Sequence, residues 1–434
     1  MIDRYTRPAM RKIWSDEQTF ELWLRIEIAA CEAWAKEGVI SSEEMASIRQ
    51  AKFNKEAYDK WFDTTKHDVI SFTRAISEDL GKEKRWIHYG LTSSDIKDTA
   101  LSIQLKDSCL LLLDGLNTLA LSLKKRAIEF KYLPSIGRSH GVHAEPMSFG
   151  LKFALWFSEI NRQITRLELV RNQISVGMLS GPVGTFSSVP PVIENTVCEE
   201  LGLKPALISN QIIQRDRHAS YVQCLALIAA TMEKISTEIR TLQRTEIREI
   251  EEPFGQDGYV SKGSSSMPHK RNPELSERIC GISRLLRGYV ITALDNVALW
   301  NERDISHSSS ERVILPESSL YLDYIIDLLN GIISKMTVNE QNIHKNLNLT
   351  QGLVFSPRVM LKLVESGMDR EMAYDIVQKH SKNAWENEKN FKNLVLSDKN
   401  VISMNISPKE LDELFDYEFF LRYVDKIFNR ANID

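Results

Sequence analysis

The sequence predicts an all-α protein built around a bundle of long helices, and three observations carry that expectation. The 434 residues include only 19 glycines and 13 prolines, well below the combined share of about 12% usual in globular chains. Apolar residues recur at three- and four-residue steps over unusually long stretches. No alternation of apolar and polar residues is long enough to predict a strand.

Taken in order, a first helix is expected from Asp16 to Lys36, with Gly38 just past its end. Ser41 and Glu44 have the spacing of a capping box for the next one, and a third runs from Asp68 to Leu80 and stops at Gly81. From Ser94 to Tyr132 there is one glycine and no proline, and Ile96, Ala100, Ile103, Leu110, Leu113, Leu116 and Ala120 mark a single face. A rod of about 35 residues is roughly 50 Å long. Phe149 to Val176, Arg217 to Glu251, Glu274 to Ile305 and Glu317 to about Met336 read the same way. After about Ser366 short helices return, one starting near Asp369 and one led by Ser407-Pro408.

Five such rods exceed the usual mean of about 11–12 residues several-fold. One globule gives them too little core, so they predict a bundle completed by other subunits. Three domains follow: a helical one over 1–110, the long-helix bundle over 111–365 and a helical cap over 366–434.

Composition narrows the function. A net charge of −4 with no basic tail argues against a nucleic-acid binder. Five scattered cysteines without a CxxC pair fit reduced, buried thiols. The N-terminus lacks the apolar core of a signal peptide, and the strongest apolar run, Leu110 to Leu113, cannot span a bilayer. A soluble, cytoplasmic protein with no membrane partner is expected.

Polar chemistry is gathered in a few clusters. Gly263-Ser264-Ser265-Ser266-Met267-Pro268-His269-Lys270-Arg271-Asn272-Pro273 sets hydroxyls beside cations in a long loop, suited to closing over an anion. Lys66-His67-Asp68 opens a helix, where backbone N–H groups favour an anion. In His88-Tyr89-Gly90-Leu91-Thr92-Ser93-Ser94-Asp95 the hydroxyls are explained by helix capping, but His88 is not. Ser139-His140-Gly141-Val142-His143-Ala144-Glu145 offers either part of a zinc set, which needs further ligands, or a general acid. Gln211 precedes Arg215-Asp216-Arg217, read as a polar helix entry with charge pairs. Glu302 to Arg312 adds hydroxyls and two arginines. Alone it reads as a solvated turn; with the other clusters it suggests an assembled anion site.

These motifs resemble, in order and spacing and over nearly the whole chain, the fumarase/aspartase lyase superfamily and, within it, the adenylosuccinate lyase family. The loop from Gly263 to Pro273 is shared by the superfamily. Arg4-Tyr5, Lys66-His67-Asp68, His88-Tyr89-Gly90 and the Ser139 to Pro146 segment narrow the likeness, while serine stands at position 139 where the family commonly has threonine. The resemblance implies a three-domain fold whose central helices join a homotetrameric bundle, with active sites shared between subunits and no cofactor or metal. It implies β-elimination of fumarate from a succinylated purine nucleotide; another superfamily lyase, such as argininosuccinate lyase, is the alternative.

By motif, His140 is the general acid, Ser264 the general base, and Glu277 the carboxylate that orients the histidine. Lys270 and Asn272 would hold the succinyl carboxylates with Thr92, Ser93, Ser265 and Gln211. Arg4, Tyr5, His67, Arg303, Ser309 and Arg312 would hold the nucleotide end, and His88 its phosphate or leaving group. Lys66, Asp68, Met267 and Ser308 complete the expected binding set.

Overall fold

The computed structural model describes residues 2–254 and 266–433. The long rods lie at Ser93–Glu129, Gly150–Ile174, Asp216–Leu242, Glu274–Asp295 and Ser306–Lys335. The first two lie close to their expected bounds, and the other three depart from them. The third ends at Leu242 because the chain then turns and Ile250–Glu251 pairs with Thr337–Val338. The fourth ends at Asp295, ten residues early. The fifth starts at Ser306 and runs straight through Pro316, so that proline does not mark its start; only one i→i−4 bond is lost there.

Shorter helices match local chemistry. Asp16–Lys36 is capped by Ser15, whose hydroxyl accepts from Gln18 N–H. The capping boxes at Ser41 and Ser407 both form, and Asp369 caps Arg370–Glu386. The third helix is Asp68–Ser77, three residues short of Leu80.

One antiparallel hairpin was not foreseen, pairing Pro134–Ser139 with Val142–Ser148. Its exposed, buried and half-buried residues do not alternate cleanly, so the pattern that identifies a half-buried strand is missing from the sequence.

The chain divides into two compact units. The first comprises 1–118, 160–233 and 278–328, and packs Phe20, Trp23, Phe53 and Phe72 as an aromatic cluster, with Phe20 and Phe53 stacked at 4.3 Å. The second comprises 119–159, 234–277 and 329–434; within it Phe130, Phe149 and Phe153 pack edge to face or tilted. All five cysteines are buried and free. Among the described residues no helix is long and apolar enough to cross a membrane.

Candidate functional site

In the first unit the turn before Ser93–Glu129 is held by two buried carboxylates. His88 and Gly90 both take positive φ, +61° and +77°. A Cβ on Gly90 would stand 2.7 Å from the Ser188 carbonyl oxygen, so only glycine fits. Glu27 faces His88: its Oε1 lies 2.7 Å from the ring Nδ1 and its Oε2 accepts the His88 amide at 2.9 Å. Burial works against the imidazolium, but the hydrogen bond and charge of Glu27 outweigh it and His88 titrates above its ordinary value.

Asp95 accepts the Thr92 amide at 2.8 Å and, through its other oxygen, the amides of Ser180 and Gly181 at 3.1 and 3.3 Å. It therefore fastens the segment at Ser180 and Gly181 to the helix start that carries Thr92 and Ser93. Burial raises its carboxyl to about 6, against the pull of those donors.

A cavity of about 280 Å³ in the same unit is lined by Ser94, Lys97, Arg303, His307, Ser308 and Arg312, among others. Asp68 holds two of its cations, accepting from Lys97 Nζ at 2.7 Å and from Arg312 at 3.2 Å. Burial works against the Asp68 carboxylate, but Lys97, the Val69 amide and Arg312 outweigh it and lower its carboxyl below the ordinary value. Arg303 reaches Gln211 Oε1 at 3.5 Å and His307 Nε2 at 3.2 Å. Asp304, held down to about 2 by the Ser306 hydroxyl and the amides of Trp300 and Ser306, braces the turn that presents Arg303.

Gln211, Asp68, Arg303, Ser308 and Arg312 are thus gathered on one cavity or its immediate supports. Lys66 and His67 precede Asp68; His67 Nδ1 accepts the Ile70 amide at 3.3 Å and caps that helix. Ser309 is exposed on the helix one residue past Ser308. Tyr5 packs on Tyr324 at 5.6 Å with the Arg4 guanidinium 5.9 Å from its ring; among the described residues no hydrogen bond ties either to the cavity.

Arg215 extends the sequence reading. The charge pairs expected at this helix entry form, but they are buried: Arg215 lies 3% exposed between Asp98 and Glu311, bonded bidentately to each. Arg217 donates to the Gln173 carbonyl, and only Asp216 is left to water.

In the second unit His140 and Gly141 form the two-residue tip of the hairpin, at φ +55° and +80°. Positive φ at both positions is what a type I′ turn requires, and it leaves the imidazole exposed. Behind the tip, Arg138 binds buried Glu249 through two bonds of 2.5 and 3.1 Å. His143 faces Arg138 across the ladder and is held below its ordinary value, by burial first and by Arg138 second. Among the described residues no three metal-ligating side chains are grouped.

Lys270 and Asn272 line a separate cleft of about 880 Å³ with Arg240, Arg244, Arg248 and Arg271, opposed by the single acid Glu251. Met267 is 41% exposed. Glu277 stands exposed in the first turn of Glu274–Asp295, and among the described residues no hydrogen bond joins it to His140. Ser264 and Ser265 lie outside the described residues.

Glu27, Asp95, Asp98, Asp304, His307 and Glu311 escaped the expected set. A signal existed for Glu27, an acid within the apolar run Ile26 to Ala30, and for Asp95 and Asp98, one turn apart on one helix face.

Long helices, a histidine at a hairpin tip and the Ser-rich sequence leading to Lys270 and Asn272 fit a lyase of the fumarase/aspartase superfamily. Residues 3–288 match the family described as lyase, and residues 352–431 the one described as adenylosuccinate lyase C-terminus. Over 434 residues, the whole of both chains, the sequence is 48% identical to the adenylosuccinate lyase of Bacillus subtilis (strain 168). The chain belongs to the adenylosuccinate lyase family. Among solved structures it is similar to the 3-carboxy-cis,cis-muconate lactonizing enzyme of Pseudomonas putida, with a TM-score of 0.88 and 26% identity over 98% of this chain and 96% of that one. The fumarate lyase of Mesorhizobium sp. BNC1 shares the fold, with a TM-score of 0.89 at 24% identity over 99% of each chain.

Proposed function

We propose that this chain, a lyase, catalyses the reversible β-elimination of fumarate from adenylosuccinate, giving AMP, and the equivalent cleavage of succinyl-aminoimidazole-carboxamide ribotide. The end-to-end identity of 48% to the Bacillus subtilis adenylosuccinate lyase carries this reading. Elimination requires a base for a weakly acidic proton beside a carboxylate and an acid for the departing nitrogen. Negative charge grows on the carboxylate meanwhile, so fixed cations must face it.

Ser264 takes the proton and His140 protonates the nitrogen, with Glu277 orienting the histidine. A serine is a poor base unless neighbouring cations stabilise its alkoxide and so lower its pKa, an attraction that exclusion of water strengthens. The cationic surroundings of Lys270 and Asn272 favour both that and the binding of a dicarboxylate. Thr92, Ser93, Ser265, Gln211 and Met267 complete the succinyl end. Lys66, His67, Asp68, Arg303, Ser308, Ser309 and Arg312, with Arg4, Tyr5 and His88, hold the nucleotide. The homotetramer would bring His140 and Glu277 of different subunits together, in the cytoplasm, without metal or cofactor.

The test is release of fumarate by the purified protein after EDTA dialysis, with adenylosuccinate and argininosuccinate offered separately. Turnover of adenylosuccinate alone is expected. Turnover of argininosuccinate alone, or activity restored only by a divalent ion, would overturn the reading.

A further inference from the structure

Arg303 is permanently charged, so its Nε–H must donate to His307 Nε2, 3.2 Å away. That bond assigns the tautomer. With Nε2 accepting, the proton sits on Nδ1 and donates to Glu311 Oε2 at 2.8 Å. Glu311 is bonded in turn by Arg215 at 2.9 and 3.2 Å, and the far side of Arg215 grips Asp98 at 2.5 and 3.0 Å. His307, Glu311, Arg215 and Asp98 are 3%, 7%, 3% and 5% exposed. Turning the imidazole would therefore cost the buried Glu311 a hydrogen bond and leave Arg303 without its acceptor. Gln211 takes a second nitrogen of Arg303, and Nη2 is left without a partner among the described residues, at the cavity with Ser308 and Arg312.

We propose that His307 is a positioning residue: as the neutral Nδ1–H tautomer backed by Glu311 and Arg215, it fixes the Arg303 guanidinium so that its outer edge meets the anionic end of the nucleotide. The proposal deepens the reading given above that Arg303 binds the nucleotide, and rests on it. A flexible arginine loses much of its affinity to the entropy of ordering its chain, and a buried brace removes that cost before substrate arrives.

Two substitutions separate the two hydrogen bonds. His307→Asn keeps a donor near Nδ1 for Glu311 and loses the acceptor for Arg303; His307→Gln does the reverse. For His307→Asn, the Kd for AMP and the KM for adenylosuccinate should both rise about tenfold, or about 1.4 kcal/mol, with kcat within about twofold of wild type. His307→Gln should bind AMP within about threefold of wild type even if its Tm falls. In an Arg303→Ala background, His307→Asn should weaken AMP no further, because its effect passes through Arg303. Wild-type AMP affinity in His307→Asn overturns the proposal, as does equal weakening by both substitutions or full additivity with Arg303→Ala. Wild-type AMP affinity in Arg303→Ala would instead sink the nucleotide role of Arg303, and the brace with it.

Discussion

Replacing Arg215 with methionine should destabilise the protein in a manner that depends on pH. Methionine keeps the length and apolar body of the side chain and removes only the cation between Asp98 and Glu311. Both acids are more than nine-tenths buried, and breaking a buried pair by deleting one partner costs about 3–5 kcal/mol. The titration of Glu311 points in the same direction. Burial alone would raise its carboxyl, but the His307 hydrogen bond and the Arg215 charge bring it from 4.5 down to about 2. At about 1.4 kcal/mol per tenfold in proton affinity, that difference is worth roughly 3 kcal/mol at neutral pH for all these partners together, Arg215 supplying a part of it. Arg215 likewise lowers the Asp98 carboxyl against its burial.

A group depressed in the folded state stabilises fully above its unfolded value and loses that contribution as pH falls through the folded one. In wild type the contribution of Glu311 is therefore intact above about pH 4.5 and fades toward pH 2. Without Arg215 both carboxyls are buried unpaired and their folded values should rise above the unfolded ones. The variant's deficit should then be largest at pH 7.5 and shrink as the acids take up protons toward pH 4.5. For a 434-residue cooperative unit at about 2.1 cal/mol/K per residue, ~4 kcal/mol corresponds to ~4 °C in Tm. Thermal unfolding of both proteins at several pH values, at one scan rate, reads this directly. A deficit under about 1 °C at pH 7.5, or one of equal size at both ends of the range, would refute the reasoning.

Ser264→Ala should lower kcat by several orders of magnitude with little change in KM, whereas Ser265→Ala should raise KM more than it slows turnover; steady-state kinetics retaining more than about a tenth of wild-type kcat in Ser264→Ala, less than ~1.4 kcal/mol of barrier, removes the serine as base. His140→Ala and Ser264→Ala proteins, each nearly inactive, should regain activity when their subunits are mixed and reassembled, and a fully active monomer in sedimentation would end the shared-site proposal. Gly184 has φ +77° and an added Cβ would lie 2.1 Å from the Ser209 carbonyl oxygen, so Gly184→Ala should lower Tm by several degrees, through ~2 kcal/mol or more of backbone displacement; an unchanged Tm would show that the loop yields freely.

Much of this was legible because helices announce themselves locally. The Ser41 capping box, the helix starts near Asp369 and at Ser407-Pro408 and the three- and four-residue apolar steps are short-range signals, and the elements they predict formed. Where boundaries failed, long-range contacts decided: the Ile250–Glu251 ladder with Thr337–Val338 ends one rod early, and packing carries another through Pro316. The hairpin at His140 was missed because its strands do not alternate. Candidate site residues were recognisable as clusters, yet the supports behind them were not. Asp98, Arg215 and Glu311 are 96 and more residues apart along parts of their chain, and nothing in a local window says that a charge will be buried against another so distant.

The hairpin tip also bears on how this protein can be improved. Asparagine followed by glycine is the pair a type I′ turn favours most, and histidine at positive φ is the less comfortable choice. A stability-guided redesign reading backbone preference alone would therefore write asparagine at position 140 and gain a sturdier turn. It would also delete the group proposed to protonate the leaving nitrogen. If His140 has that proposed role, the strain of about 1 kcal/mol there is a constraint imposed by turnover, and thermostabilising substitutions should be sought in the caps and loops away from that tip.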